Sequence, residues 1–327
     1  MMNERREIRC GEDVVWLPRF RMCDVIAGAS DVPHPAFVQG GRVLDGIYVS
    51  KYQNVIEAGV AISRADRDPA VNVDFDTAER ACASKGAGWH LMTALEWGAV
   101  ALWSQKNGHL PYGNNDDGKD YREDAVRARI SYTDSEKGIV RVATGTGPET
   151  WSHDGTAEGI YDLNGNVWEW SGAFRLVCGE LQLSENGVWY AVDGMSGAWL
   201  VPNGAGTTPN SVKLDMRAGN WCFVRDAVQD PYAHARHASF DKVCAEGLGK
   251  AAIELLWALG LLPVAGCSYE GVELYANNGA SERMLFRGGR WGQKENAGLF
   301  KSCIDDPRTY KGEAVGFRAA AWEVACE

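Results

Sequence analysis

The chain has 327 residues, is 45% hydrophobic and 24% charged, and carries a formal net charge of −11. That is enough for one large domain or two ordinary ones, each with a sizeable core. The acidic balance and scattered Lys and Arg argue against a nucleic-acid partner, and no apolar run is long enough to span a bilayer; the best candidate, Ala251 to Val264, reads as a buried helix.

Met1 to Cys10 is charged and polar, without the apolar core of a secretion signal, which predicts a protein that is cytoplasmic as made. Val14 to Val60 is strand-like, and "GIYVSKYQNV" (Gly46 to Val55) has the alternation of a half-buried strand. Asp76 with Glu79 suggests a helix N-cap and its N3 partner, with Gly86 as the stop. Thr93 with Glu96 is a second capping box, opening a helix that carries Leu95, Ala99, Leu102 and Trp103 on one face and ends near Gly108. Two short helices are therefore expected near 77–85 and 94–107. Leu110 to Thr150 is polar and rich in Gly, Asp and Asn, and reads as loop. From about 180 to 285 the pattern gives one helix, Leu248 to Leu259, and several short strands. No repeat or clean linker divides the chain, so residues 1–327 read as one domain, with 180–285 as an insertion.

The nine Cys residues (10, 23, 82, 178, 222, 244, 267, 303, 326) form no CxxC pair. Their odd number, without a signal peptide, favours reduced and mostly buried thiols, and the spacing argues against zinc. The 13 Trp and 38 Gly residues suggest an irregular, loop-rich fold pinned by aromatic anchors.

The most specific stretch is "YDLNGNVWEW", Tyr161 to Trp170. Asn-Gly-Asn makes a tight turn between apolar segments, and Val167, Trp168 and Trp170 anchor the strand after it. Glu169, between two Trp, needs an ionic or hydrogen-bonding partner or a cation. The stretch resembles the signature of the formylglycine-generating enzyme family, the sulfatase-modifying factors. So do "GAGWHLMTALEWGAVAL" (Gly86 to Leu102), "FRGGRW" and "VGFRAA", in the family's order, over about 90–320. The resemblance implies an α+β, C-type-lectin-like fold with small twisted antiparallel sheets, two short helices and much irregular loop. It also implies a structural calcium held by Asp162, the Gly165 and Val167 carbonyls, and Glu169; an ion pair or hydrogen bonds at Glu169 are the alternative.

The oxidising members of that family use two Cys thiolates, which suit copper(I). The matching positions here are about Gln293 and Gly298, which cannot supply thiolates. The related sulfoxide synthases use three His around iron; His234 and His237 are three apart, with no third nearby. Neither a catalytic residue nor a catalytic cofactor is therefore expected.

The close of the chain, "LFRGGRWGQKENAGLFKSCIDDPRTYKGEAVGFRAA" (Leu285 to Ala320), is similar to the variable proteins of diversity-generating retroelements of bacteria and phages. That likeness implies a non-enzymatic ligand-binding protein whose 285–320 region is diversified. Gly288, Gly289, Trp291, Ala297, Gly298, Leu299, Phe300, Gly316 and Phe317 would be held constant. Arg290, Gly292, Gln293, Lys301, Cys303, Asp305, Asp306 and Tyr310 would form one solvent-facing surface over inward-pointing Trp291, Phe300 and Phe317. The implied partner is a protein or cell-surface ligand, and the implied setting is a phage particle or a bacterial host. The alternatives are a copper- or iron-dependent oxidase and a virion structural protein.

Overall fold

The computed structural model describes residues 13–322. Among them, the strands Val14–Pro18, Gly46–Ser50, Ala319–Ala321 and Trp89–Leu91 form a small sheet in that order, so the two ends of the described chain lie in one sheet. A larger sheet is organised around the ten-residue strand Trp168–Val177. This strand pairs antiparallel with Arg283–Gly288 and Glu180–Glu185, and parallel with Val315–Phe317. Its register slips between Ser171 and Arg175, where Ala173 adopts φ +57°, as a bulge requires.

Alternation in Arg283–Gly288 shows why this run is largely apolar. Leu285 faces the main core, whereas Met284 and Phe286 face a second core with Trp170 and Phe317. Both sides of the sheet are covered at this strand. The result is a mostly sheet, few-helix, loop-rich α+β fold of the expected C-type-lectin-like kind.

The helices are Phe75–Ala83, Ala94–Lys106 and Lys250–Ala258, besides a four-residue turn at Met22–Val25. The Thr93–Glu96 capping box is formed, with Thr93 Oγ1 accepting from Glu96 N at 3.2 Å and Glu96 Oε2 accepting from Thr93 N at 2.8 Å. The first helix departs from expectation. Asp74, not Asp76, caps it by accepting from Thr77 N at 2.8 Å, which puts Phe75, Ala78, Ala81 and Cys82 against the core; Asp76 pairs with Arg308 instead. The Ala94–Lys106 helix is buried nearly all round, not on one face. On one side Gly98 admits another helix, since a Cβ there would lie 1.9 Å from the Ala258 carbonyl oxygen, so only glycine lets the Lys250–Ala258 helix approach so closely.

Two other expectations need correcting. The segment 110–150 contains a hairpin, Ile130–Asp134 with Ile139–Val142, whose Val142 and Ile139 are buried. Cys222 and Cys244, side by side on neighbouring parallel strands, are joined as a disulfide, so the thiols are not all reduced. The residues between 180 and 285 add strands to the large sheet and side chains to the main core.

Candidate functional site

The turn after Tyr161 is built by backbone that few residues tolerate. Asp162, Gly165 and Asn166 have φ of +63°, +80° and +59°. At Gly165 a Cβ would stand 2.1 Å from the Asn114 carbonyl oxygen, so the two chain segments could not meet with any other residue. Folded this way, the turn aims the carbonyl oxygens of Asp162, Gly165 and Val167 and the Glu169 carboxylate at one point. The Gln53 side-chain amide fills that point. Its Nε2 donates to Asp162 O (3.1 Å), Gly165 O (3.5 Å), Val167 O (2.9 Å) and Glu169 Oε1 (3.1 Å).

Glu169 is also held by Arg318, whose Nε and Nη2 donate to its two oxygens at 2.9 and 2.8 Å; neither side chain reaches solvent. Arg318 also donates to Ser50 O and Tyr161 O. The Asp162 carboxylate accepts from Gly145 N through Oδ2 at 2.8 Å and leaves Oδ1 buried without a partner, and burial pushes its pKa up to about 7. A calcium ion takes six to eight oxygens at about 2.3–2.6 Å. The residues here do not fit that cage, because an amide nitrogen stands where the three carbonyls converge and the Glu169 carboxylate is already paired with a guanidinium.

The second region is the close of the chain. Along the strand Gly298–Ile304, Phe300, Ser302 and Ile304 face one way and Lys301 and Cys303 the other. A cross-strand row, His237, Tyr275, Cys303, Phe286, Trp170 and Phe317, runs across the sheet. It passes from the exposed His237 ring to the fully buried Phe317, so this layer is open at one end and closed at the other.

Trp291, Phe300 and Phe317 are buried, with exposures of 3%, 4% and 0%, each in a different packing group. Trp291 is pinned by its Nε1 donating to Gly138 O at 2.7 Å. Arg290, Gln293, Asp305 and Asp306 are partly exposed and Tyr310 is exposed. Burial, then Asp306 and Cys303, raises the pKa of the Tyr310 hydroxyl, with Arg290 opposing. Burial, then the Asp305 charge, pushes Asp306 up to about 6, with Arg283 opposing.

Two of the eight residues do not behave as freely replaceable surface positions. Lys301 is buried. Its Nζ donates to Asn296 Oδ1 at 2.5 Å, lies 3.9 Å from Glu273 and 4.6 Å from the Tyr275 ring centroid, and burial lowers its pKa to about 8. The Lys294–Asn296 turn supplies the acceptor that holds it there. Gly292 is exposed but has φ +71°, so a side chain there is strained whatever the space. Cys303 is partly exposed, with its thiol pushed up to about 12 by burial and then by Asp306 and Asp305. Gln293 is tied to its neighbour, its Oε1 accepting from Arg290 N at 2.9 Å.

At the positions that would carry copper thiolates, Gln293 closes a turn and Gly298 adopts φ +125°. His237 lies on a strand, stacked on Tyr275 and 2.8 Å from Glu273, while His234 packs edge-on to Tyr232, so the two do not share a site. Among the described residues, one group of three metal-capable side chains comes together, Cys222, Cys244 and Glu246, and its two sulfurs are bonded to each other.

Sequence reasoning missed Gln53, Arg287 and Arg318. A lone Arg inside an apolar run, as in "LFRGG" and "VGFRAA", was the available signal for the last two. Arg287 is buried at the C-terminal end of the Lys250–Ala258 helix, donating to Leu259 O at 2.5 Å, to Gly260 O at 3.4 Å and to Ser302 Oγ. Burial lowers its pKa to about 9.

No curated protein matches the chain significantly. Among solved structures it is similar to PvdO from Pseudomonas aeruginosa, at 14% identity and TM-score 0.37 over 97% of this chain and 96% of that one. It is also similar to Treponema denticola variable protein 1, at 12% identity and TM-score 0.34 over 99% and 100%. A further likeness is to the Major Tropism Determinant M1 variant, at 12% identity and TM-score 0.34, over 97% of this chain and 64% of that longer one. The family model described as the sulfatase-modifying factor enzyme 1-like domain matches residues 11–322, nearly the whole chain. The chain therefore belongs to the sulfatase-modifying factor enzyme 1-like family.

Proposed function

We propose that this chain is a non-enzymatic, ligand-binding member of its family. Its binding surface is the face around Arg290, Gln293, Cys303, Asp305, Asp306 and Tyr310, and a retroelement diversifies that surface. The reading is carried by one observation: partly or fully exposed polar side chains are interspersed with buried Trp291, Phe300 and Phe317 over a single short segment. Exposed positions away from caps and strained turns tolerate replacement within about 0.5 kcal/mol, whereas truncating a buried aromatic costs about 3–5 kcal/mol. A scaffold that survives replacement must separate the two sets, and the burial of these side chains is consistent with that separation. Adaptable polar side chains on loops anchored to a rigid sheet follow the same logic as an antibody paratope. Gln293 and Gly298, standing where copper thiolates would be needed, support the non-enzymatic part of the reading.

The partner is a protein or cell-surface ligand, and the protein acts on a phage particle or for a bacterial host. Sequencing the 3′ end of the gene across a population, together with its neighbourhood, tests this. The expected result is a nearby reverse-transcriptase gene, a near-identical template repeat, and changes confined to codons of the exposed set. Uniform drift across Trp291, Phe300 and their neighbours would overturn the diversified face. Stoichiometric copper with peptide oxidation would overturn the non-enzymatic reading.

A further inference from the structure

The environment of Gln53 assigns it a role that the family resemblance does not. Its Nε2 has two hydrogens and faces four oxygens, three of them backbone carbonyls of one turn. The orientation of the amide follows from groups that cannot exchange donor and acceptor. Val142 N donates to Asn166 Oδ1 at 2.9 Å, and Val142 O accepts from Asn166 Nδ2 at 3.1 Å, so the Asn166 amide has one orientation. Asn166 Nδ2 then donates to Gln53 Oε1 at 2.9 Å. Turning Gln53 over would set two NH₂ groups against each other and one more oxygen against four. The nitrogen therefore belongs at the convergence point.

Charge leads to the same conclusion. The carboxylate at this point, Glu169, is paired with Arg318 on both oxygens, and Gln53, Glu169 and Arg318 are 0–1% exposed. A divalent ion added here would lie in a closed pocket beside the Arg318 guanidinium, a like charge, which is unfavourable. The Asp162 carboxylate accepts from Gly145 N through Oδ2, and its Oδ1, buried without a partner, is not among the oxygens that Gln53 gathers.

We propose that the Gln53 amide replaces a bound cation at the Asp162–Glu169 turn, gathering its carbonyls by hydrogen bonds, and that Gln53 excludes a hard cation from this site. The turn then holds its shape without metal, and residue 53 decides between an amide-plugged and a cation-filled site. Gln53→Glu would put a carboxylate among the same carbonyls and create an oxygen cage.

The test uses the full chain, purified with millimolar calcium present and then desalted. Metal analysis should find sub-stoichiometric calcium, and the thermal midpoint should be the same in chelator and in calcium. Gln53→Ala should lower the midpoint by several degrees, because buried carbonyls lose their donor. Gln53→Glu should be destabilised in chelator and recover with calcium, read by melting and by terbium luminescence. About one calcium per wild-type chain, with a midpoint that falls in chelator, would overturn the proposal. A Gln53→Ala midpoint equal to wild type would do so as well. If Gln53→Glu fails to fold, the wild-type metal content and the Gln53→Ala midpoint still decide the matter.

Discussion

Arg318 and Glu169 form a two-pronged ion pair, at 2.9 and 2.8 Å, with both side chains sealed from solvent. It ties the Trp168–Val177 strand to the segment that crosses from the large sheet to the small one near the end of the described chain. Removing one member leaves the other charged and buried. Arg318→Met or Glu169→Leu should each destabilise the protein by about 3–5 kcal/mol in urea unfolding. Replacing both should cost clearly less than the sum, because no charge is left alone. Strict additivity would mean that the two groups are not coupled as their geometry requires.

The buried and exposed members of the C-terminal segment should separate in unfolding experiments. Combined replacement of Arg290, Asp305, Asp306 and Tyr310 by Ala should leave the urea midpoint nearly unchanged while altering the binding face. Trp291→Ala should lose about 3–5 kcal/mol, because it empties a buried site and orphans the Gly138 carbonyl. Lys301→Ala should behave like the second group, since its ammonium is enclosed by Asn296, Glu273 and Tyr275.

Two buried histidines should make the fold sensitive to acid. His34, between Phe20 and Phe37, accepts from Ala36 N, and burial lowers its pKa to about 3. His153 accepts from Ile160 N, and burial lowers its pKa to about 4, with Asp154 opposing and His109 and Arg318 adding to the shift. Both bind protons more readily unfolded, where the value is near 6.5, so their contribution is complete above that pH and is lost as pH falls towards 4 and 3. Each should add up to about 1.4 kcal/mol per pH unit to the slope in that window. Urea unfolding of His34→Asn across pH should show a shallower acid limb than wild type.

The disulfide closes a separation of 22 residues between parallel strands. Reduction, or Cys222→Ala with Cys244→Ala, should lower stability by roughly 3 kcal/mol on the chain-entropy estimate. Thiol counting under denaturing conditions, with and without reductant, checks that the bond exists before the melt is compared.

Much of the fold was legible because its signals are local. The Thr93–Glu96 box acts across three residues, and Gly108 ends its helix with φ +72°. The Asn-Gly-Asn turn needs positive φ at residues that allow it. Other signals were misread where burial competed with a local rule. Asp74 and Asp76 are both good caps, and the choice fell to Asp74 because it sets Phe75 in the core. The face assigned to the Ala94–Lys106 helix was too narrow, since nothing local tells that Gly98 receives another helix.

The sequence by itself determined the turn at Asp162–Glu169, the inward aromatic anchors Trp291, Phe300 and Phe317, and the lack of thiolates at Gln293 and Gly298. Those follow from residue type and near neighbours, and short-range sterics and hydrophobicity act on them wherever the chain goes. Only the tertiary structure decided what stands at the centre of the turn, because Gln53 is 109 residues from Asp162 and 116 from Glu169. The same is true of the enclosure of Lys301, the Arg318–Glu169 pair and the meeting of Cys222 with Cys244. A buried polar group must find a partner, and sequence shows that need plainly; which partner answers it depends on which distant strand folds against it.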